Sequence, residues 1–277
     1  MLKRILITGK SGYIASSLFA YLQEFPKEYA VETVSLRGDT WKAADFSRYD
    51  AIVYCAGLAH IKETAQNAHL YYEINRDLTI AVAQKAKEEG VGQIIFLSSL
   101  SVYGMDEGVI TSATEPRPKS AYGKSKLEAE RSLRAMETET FRVAILRSPM
   151  VYGEGCKGNY RTLVKLARLL PAVPSYANQR SAVSIERLCQ FIKDVIDGNG
   201  NGVFVPQDAD YLCTCAEIQR LATKNGRNIP MTKLLNFGPA LLRRCTVKGR
   251  KAFGNLVYRE WKEDEKGADR RVGCITH

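Results

Sequence analysis

The chain predicts an α/β fold, a doubly wound parallel sheet with a small C-terminal substrate lobe. Three observations predict it. Short β-branched runs alternate with amphipathic helical stretches through the first half. The first run passes through a glycine-bearing turn directly into a helix. A later apolar run, Gln93 to Leu97, ends on Ser98-Ser99 and is followed by a helix. With 277 residues, 45% of them hydrophobic, the chain is long enough for a sizeable core. The expected division is residues 1–150 as the sheet domain and 151–277 as a lobe interleaved with the last strands.

Lys3 to Thr8 reads as the first strand, running through Thr8-Gly9-Lys10-Ser11-Gly12-Tyr13-Ile14-Ala15 into a helix through Leu22. Gly9 suits a tight turn and Gly12 lets a pyrophosphate approach the backbone. The helix start offers unpaired N–H groups to the anion. This loop, Gly9, Lys10, Ser11, Gly12, Tyr13 and Ile14, is the expected dinucleotide cradle, with Ala15 where a third glycine is usual. The second strand, Tyr29 to Leu36, ends on Ser35-Leu36-Arg37 without the acid that would hold a ribose 2′-hydroxyl. Arg37 and Lys10 could pair with a 2′-phosphate, so NADP is expected over NAD. The alternative for Arg37 is a solvated loop charge.

Asp45 and Phe46 suit an adenine edge. Asp50 to Cys55 reads as a third strand opening into Ala56-Gly57, where cofactor and backbone can meet, and then His60, either nicotinamide-facing or structural. A helix is expected from Ala68 to Glu89, with an interior Asn75 suited to hydrogen bonding a neighbouring strand. The next strand delivers Ser98 and Ser99, and a helix beginning near Ser120 carries Tyr122 and Lys126 on one face. A phenol is a poor acid or base at neutral pH. An ammonium one turn away would lower its pKa, and a serine hydroxyl opposite could hold a carbonyl or alcohol oxygen. Such a group moves a proton on or off a C–OH.

In the second half, Phe141 to Arg147 reads as a strand and Tyr160 to Leu170 as an amphipathic helix. Asn159 at its start is a candidate for a nucleotide base or phosphate. Ser181 to Ile185 is a strand and Glu186 to Ile196 a helix; Val203 to Pro206 is a late strand. Thr214 and Glu217 suggest a capping box for a helix to Lys224. Gly226, Gly238 and Pro239 are expected to break the chain into short pieces. From Lys248 onward the sequence is mostly polar, with a frayed last dozen residues expected.

No apolar run approaches the ~18 residues of a membrane span, and Lys3-Arg4 is followed by too few apolar residues for a signal peptide. An integral membrane segment is therefore not expected. Seven cysteines without a ligand-like grouping, and three histidines, make a metal site unexpected and fit a reducing cytoplasm. Cys213 and Cys215 form a C-x-C. The net charge of +10 is accompanied by no nucleic-acid motif. It suits phosphorylated small molecules, or a loose anionic membrane surface. The basic stretch Arg243 to Lys251 reads as a solvated face.

Taken together, Thr8-Gly9-x-x-Gly12-x-Ile14, Ala56-Gly57, Asn75, Ser98-Ser99-x-x-Val102-Tyr103-Gly104 and Tyr122-x-x-x-Lys126 resemble an extended short-chain dehydrogenase/reductase. More narrowly, residues 1–200 resemble the NAD(P)-dependent nucleotide-sugar epimerase/dehydratase family, whose sheet is a Rossmann fold. The resemblance implies Ser99 as the catalytic Ser/Thr and Tyr122 as acid/base. Lys126 would lower the Tyr122 pKa and bind the nicotinamide ribose, with Asn75 in support. It also implies Pro149 near the cofactor, Ser101 near the substrate and Arg180 on a diphosphate. Met150 stands where UDP-galactose 4-epimerases carry a substrate-binding Asn. Leu100 and Ser101 stand where a 4,6-dehydratase would carry Asp-Glu, so a dehydratase ranks last. The implied activity is nucleotide-sugar epimerisation at C4 in surface polysaccharide precursor synthesis, with an NADPH-dependent 4-keto reductase as the alternative. A dinucleotide-binding regulator would need the glycine loop but not the trio. A homodimer is compatible with all of these.

Overall fold

The computed structural model describes residues 2–59, 61–156 and 158–259. The loop histidine read as either structural or facing the nicotinamide or substrate, His60, and the last dozen residues lie outside them. In chain order, β1 (Lys3–Thr8) leads to α1 (Tyr13–Gln23), β2 (Tyr29–Val34) and β3 (Ala51–Tyr54). Next come α2 (Ala68–Tyr72), a π turn (Glu73–Asp77) and α3 (Leu78–Glu88) without a break. The centre is β4 (Gln93–Ser99), β5 (Gly108–Ile110), α4 (Ala121–Met136), β6 (Arg142–Ser148) and β7 (Met150–Tyr152). Then follow α5 (Asn159–Leu169), β8 (Val173–Pro174), β9 (Ala182–Ser184), α6 (Ile185–Asp197) and β10 (Gly202–Phe204). The chain closes with α7 (Thr214–Lys224), β11 (Met231–Thr232), α8 (Phe237–Cys245), α9 (Val247–Phe253) and β12 (Leu256–Tyr258).

Six strands form one parallel sheet in the order β10-β6-β4-β3-β1-β2. Alternate side chains leave each strand on opposite faces, which gives the sheet two cores. Ile5, Ile7, Val53 and Ile95 meet α1 and α6 through Leu18, Leu22, Leu188 and Ile192. Leu6, Ile52, Ile94 and Phe96 meet α3 and α4 through Val82, Ala83, Ala129 and Leu133. Burial on both faces explains the near-continuous apolar runs of β3 and β4. The order reverses at β1, with β2 on one side and β3 on the other. Open parallel sheets bind ligands at such a point, beyond the carboxyl ends of the strands.

The lobe has its own core, in which α5 and α7 pack through Tyr160, Ala167, Ile218 and Ala222. Four expectations change here. The second strand stops at Val34, two residues early. The Thr214–Glu217 capping box does not form, because both side chains are engaged elsewhere. Thr214 Oγ1 donates to the Ala252 carbonyl, while Glu217 accepts from Tyr160 and Arg220. Gly238 and Pro239 do not break the chain but sit in the first turn of α8, where proline loses no needed donor. Within the stretch read as polar, Leu256–Tyr258 is a buried strand pairing parallel with Gly108–Ile110. Three apolar residues are too few to show a period in sequence.

Candidate active site

Ser99 ends β4 and caps the 3-10 turn Leu100–Tyr103. Its Oγ accepts the Ser101 N–H at 3.1 Å and donates to Ser101 Oγ at 3.1 Å. Opposite, Ser120 caps α4 by accepting the Gly123 N–H at 3.1 Å, as expected of a helix starting there. What brings the two pieces together is Gly123. A Cβ at that position would lie 2.6 Å from the Ser101 carbonyl oxygen and 3.0 Å from Pro118 Cβ. With no side chain there, the first turn of α4 rests on the serine turn, which brings the Tyr122 phenol to the side of the Ser99 hydroxyl. Gly123→Ala must push these elements apart. Overpacking of this kind costs about 1–3 kcal/mol, and turnover should fall more steeply than stability. A melt and a rate on the same preparation check this; wild-type values for both would refute the packing argument.

Tyr122 is half-buried, with its ring edge-on to Tyr71 at 6.2 Å between centroids. Burial raises its pKa above the usual phenol value, and the Ser99 hydrogen bond pulls against that rise. Lys126 contributes differently from the sequence expectation. It shares the Tyr122 face, but its stem reaches the sheet, where Nζ donates to the Leu97 carbonyl at 2.9 Å over the Phe96 ring. It is only 4% exposed, and desolvation lowers its pKa to about 8, opposed by the nearby Glu130 charge. In this arrangement Ser99, rather than the ammonium, draws the phenol downward.

Asn75 is fully buried inside the π turn, a helix irregularity common at functional sites. Its Oδ1 accepts the Leu58 N–H at 2.7 Å, and its Nδ2 donates to the Leu58 carbonyl at 3.1 Å and Ser125 Oγ at 3.3 Å. One side chain thus ties the loop after β3 to α4. A Cβ on Gly57 would come within 3.0 Å of Asn75 Oδ1 and 3.3 Å of Lys126 Nζ, so that loop is kept narrow.

The residues at the switch point fit a dinucleotide. Gly9 has φ +83°, and a Cβ there would meet the Ala56 backbone at 3.2 Å. The glycine turn therefore lies directly against the β3 loop. Helix α1 starts with no side-chain cap and no acid in its first turn, leaving its N–H groups for a pyrophosphate. Lys10 and Ser11 are exposed at the tip, while Tyr13 and Ile14 are half-buried and pack against the core. Arg37 is exposed past β2, and its backbone N–H meets Ser35 Oγ at 3.3 Å. Pro149 is buried just beyond β6, on the same carboxyl rim.

Phe46 needs correction. Its side chain is completely buried in the sheet core and its N–H is taken by Glu89, so the ring cannot edge an adenine. Asp45 is exposed and accepts the Ser47 N–H at 3.0 Å. Asn159 opens α5, but its side chain lies outside the described residues. Arg180 differs from the expected diphosphate clamp. Its backbone bridges Leu212 and its Nη1 donates to the Gly254 carbonyl at 3.0 Å. Burial lowers its pKa, and it ties β9 to the end of α9. Of the C-x-C pair, Cys215 belongs to the lobe core.

Glu130 and Arg147 were not legible as site residues. Glu130 follows Lys126 by one further turn and is 2% exposed. It accepts from Arg147 Nη2 at 2.6 Å and Nε at 3.1 Å, and from Ser98 Oγ. Arg147 also donates to Tyr103 Oη at 2.9 Å, and Tyr258 Oη donates to the Arg147 carbonyl at 2.9 Å. The i+4 step from Lys126 was available in sequence, but the partner on β6 was not.

A cavity of about 640 Å³ opens elsewhere, at the amino ends of the strands beside Lys3, Asp50, Gln93 and Arg142. Parallel sheets place ligands at the other rim, where Ser99, Tyr122, Lys126 and the glycine loop converge.

Known proteins resemble this chain in sequence and in fold. A UDP-glucose 4-epimerase of Vibrio cholerae is 32% identical over 251 residues, covering 80% of this chain and 76% of that protein. A GDP-6-deoxy-D-mannose reductase of Pseudomonas aeruginosa is 30% identical over 174 residues, covering 58% and 56%. The crystal structure of a UDP-glucuronic acid 4-epimerase from Bacillus cereus in complex with NAD superposes with TM-score 0.68 at 18% identity, covering 90% and 94%. Residues 5–179 match the NAD dependent epimerase/dehydratase family. On that match, and on the identity with the Vibrio cholerae protein, the chain belongs to that family, an NAD(P)-dependent enzyme of the extended short-chain dehydrogenase/reductase type.

Proposed function

We propose that the protein is a nucleotide-sugar 4-epimerase, acting in the cytoplasm on precursors of a surface polysaccharide. One observation carries this reading. Ser99 and Tyr122 come together at the carboxyl rim, where the serine hydroxyl works against the rise of the phenol pKa, with Lys126 one turn on. A sugar hydroxyl held between serine and phenol would lose its proton to Tyr122 as C4 is oxidised, and regain it on reduction. The bound nicotinamide would accept and return the hydride. Leu100 and Ser101 follow Ser99 directly, so no carboxyl pair stands there to drive dehydration. Relatives named as UDP-glucose 4-epimerases support the choice. The test is incubation of the purified protein with UDP-hexoses and UDP-N-acetylhexosamines, followed by NMR for the C4 epimer. Absence of interconversion across that panel would count against it.

The second reading is a 4-keto nucleotide-sugar reductase. The missing acid after β2 and the exposed Arg37 suit NADPH, and a reductase is among the relatives. Loss of cofactor on desalting, with NADPH oxidation on a 4-keto sugar, would favour it. In either case NADP should bind about ten- to a hundredfold more tightly than NAD, the value of one charge-assisted Arg–phosphate contact. Arg37→Ala should remove most of that margin. Titrating both dinucleotides into both proteins reads it; equal affinities in the wild type would refute the assignment of Arg37.

A further inference from the structure

From Ile218 to Arg259 the sequence contains ten lysines and arginines and no aspartate or glutamate. The same stretch carries most of the exposed large apolar side chains among the described residues. Leu234 is 85% exposed, Phe237 72%, Leu241 58%, Val247 50% and Leu242 48%. Helix α8 is the centre of this surface, and Pro239 is its one buried residue. Phe237, Leu241 and Cys245 recur at four-residue steps and so share a face. Arg243 holds the helix down from another side, donating to Glu107 Oε1 at 2.7 Å and Tyr176 Oη at 3.3 Å. Lys233, Arg244 and Lys248 are exposed around it and make no ion pair among the described residues.

A helix packed in a protein hides its apolar stripe, and a solvated helix is polar all round. Helix α8 does neither. Apolar side chains pointing outward beside cations such as Lys233, Arg244 and Lys248, which have no ion pair among the described residues, are the pattern of a helix lying in a bilayer interface. We propose that α8, with the turn before it, seats the substrate lobe on an anionic lipid bilayer. Charge decides between this occupant and a second copy of the chain. A twofold contact through this face would bring Lys233, Arg244 and Lys248 of the two copies against one another, with no acid between Ile218 and Arg259 to neutralise them. Anionic headgroups complement every one of them. The contact is peripheral, since no described helix is long and apolar enough to cross a membrane. It also does not depend on which sugar the active site turns over.

The test is co-sedimentation of the full chain with phosphatidylcholine vesicles, with and without phosphatidylglycerol. Binding is expected only to the anionic vesicles, and high salt should release it. Phe237→Glu combined with Leu241→Glu should lower the bound fraction at least about tenfold, as should Arg244→Glu combined with Lys248→Glu. Both variants should keep the wild-type melting temperature and turnover of a soluble substrate. Three results would overturn the proposal. These are no binding to anionic vesicles, undiminished binding by both folded variants, and a wild-type dimer in solution that the Phe237/Leu241 variant splits.

Discussion

Tyr122→Phe should lower turnover by about 10²- to 10⁴-fold, the range by which a positioned acid/base accelerates proton transfer. The substitution removes one oxygen and leaves the ring against Tyr71, so fold and dinucleotide affinity should stay near wild type. In the proposed mechanism the phenol is the proton's acceptor and donor, and Ser99 can hold an oxygen but is too weak a base to replace it. Burial raises the Tyr122 pKa and the Ser99 hydrogen bond lowers it. Ser99→Ala should therefore shift the pH–rate profile to higher pH as well as weaken substrate binding. Single-turnover rates separate chemistry from release. A Tyr122→Phe variant within a few-fold of wild type would remove this phenol from the mechanism.

Glu130→Ala should destabilise the fold by about 3–5 kcal/mol, the cost of leaving one half of a buried ion pair unpartnered. The Arg147 guanidinium meets this carboxylate through Nε and Nη2, and both side chains are largely enclosed. Replacing both residues with apolar ones of similar size should cost much less, because no charge remains buried. The pair also faces Lys126, whose ammonium the Glu130 charge favours. Removing Glu130 should push the Lys126 pKa below about 8 and move the alkaline limb of activity to lower pH. Lys126 itself binds its proton less tightly in the folded protein than in the unfolded chain. Its penalty on stability is thus full below about pH 8 and is relieved as pH rises toward its usual value near 10.5. Denaturant titration across pH measures both effects. A Glu130→Ala protein as stable as wild type would mean the pair carries no buried charge.

The order of strands and helices was legible because each strand of a covered parallel sheet must be apolar on both faces. Lys3–Thr8 and Gln93–Ser99 announce themselves that way, and Gly9 and Gly12 mark the turn between strand and helix. The four-residue step from Tyr122 to Lys126 fixed a shared helical face. Sequence alone could not say where the Lys126 ammonium goes, because the Leu97 carbonyl that receives it is distant along the chain. Nor could it show that Phe46 fills the core, that Arg180 ties two backbone segments, or that Glu130 pairs with Arg147. Short apolar runs such as Leu256–Tyr258, and capping pairs such as Thr214 and Glu217, are ambiguous locally. The chain determined its elements through periodicity, which is a local property. Which carbonyl, carboxylate or apolar wall each polar side chain meets was decided by tertiary packing, since those partners are joined only when the sheet closes.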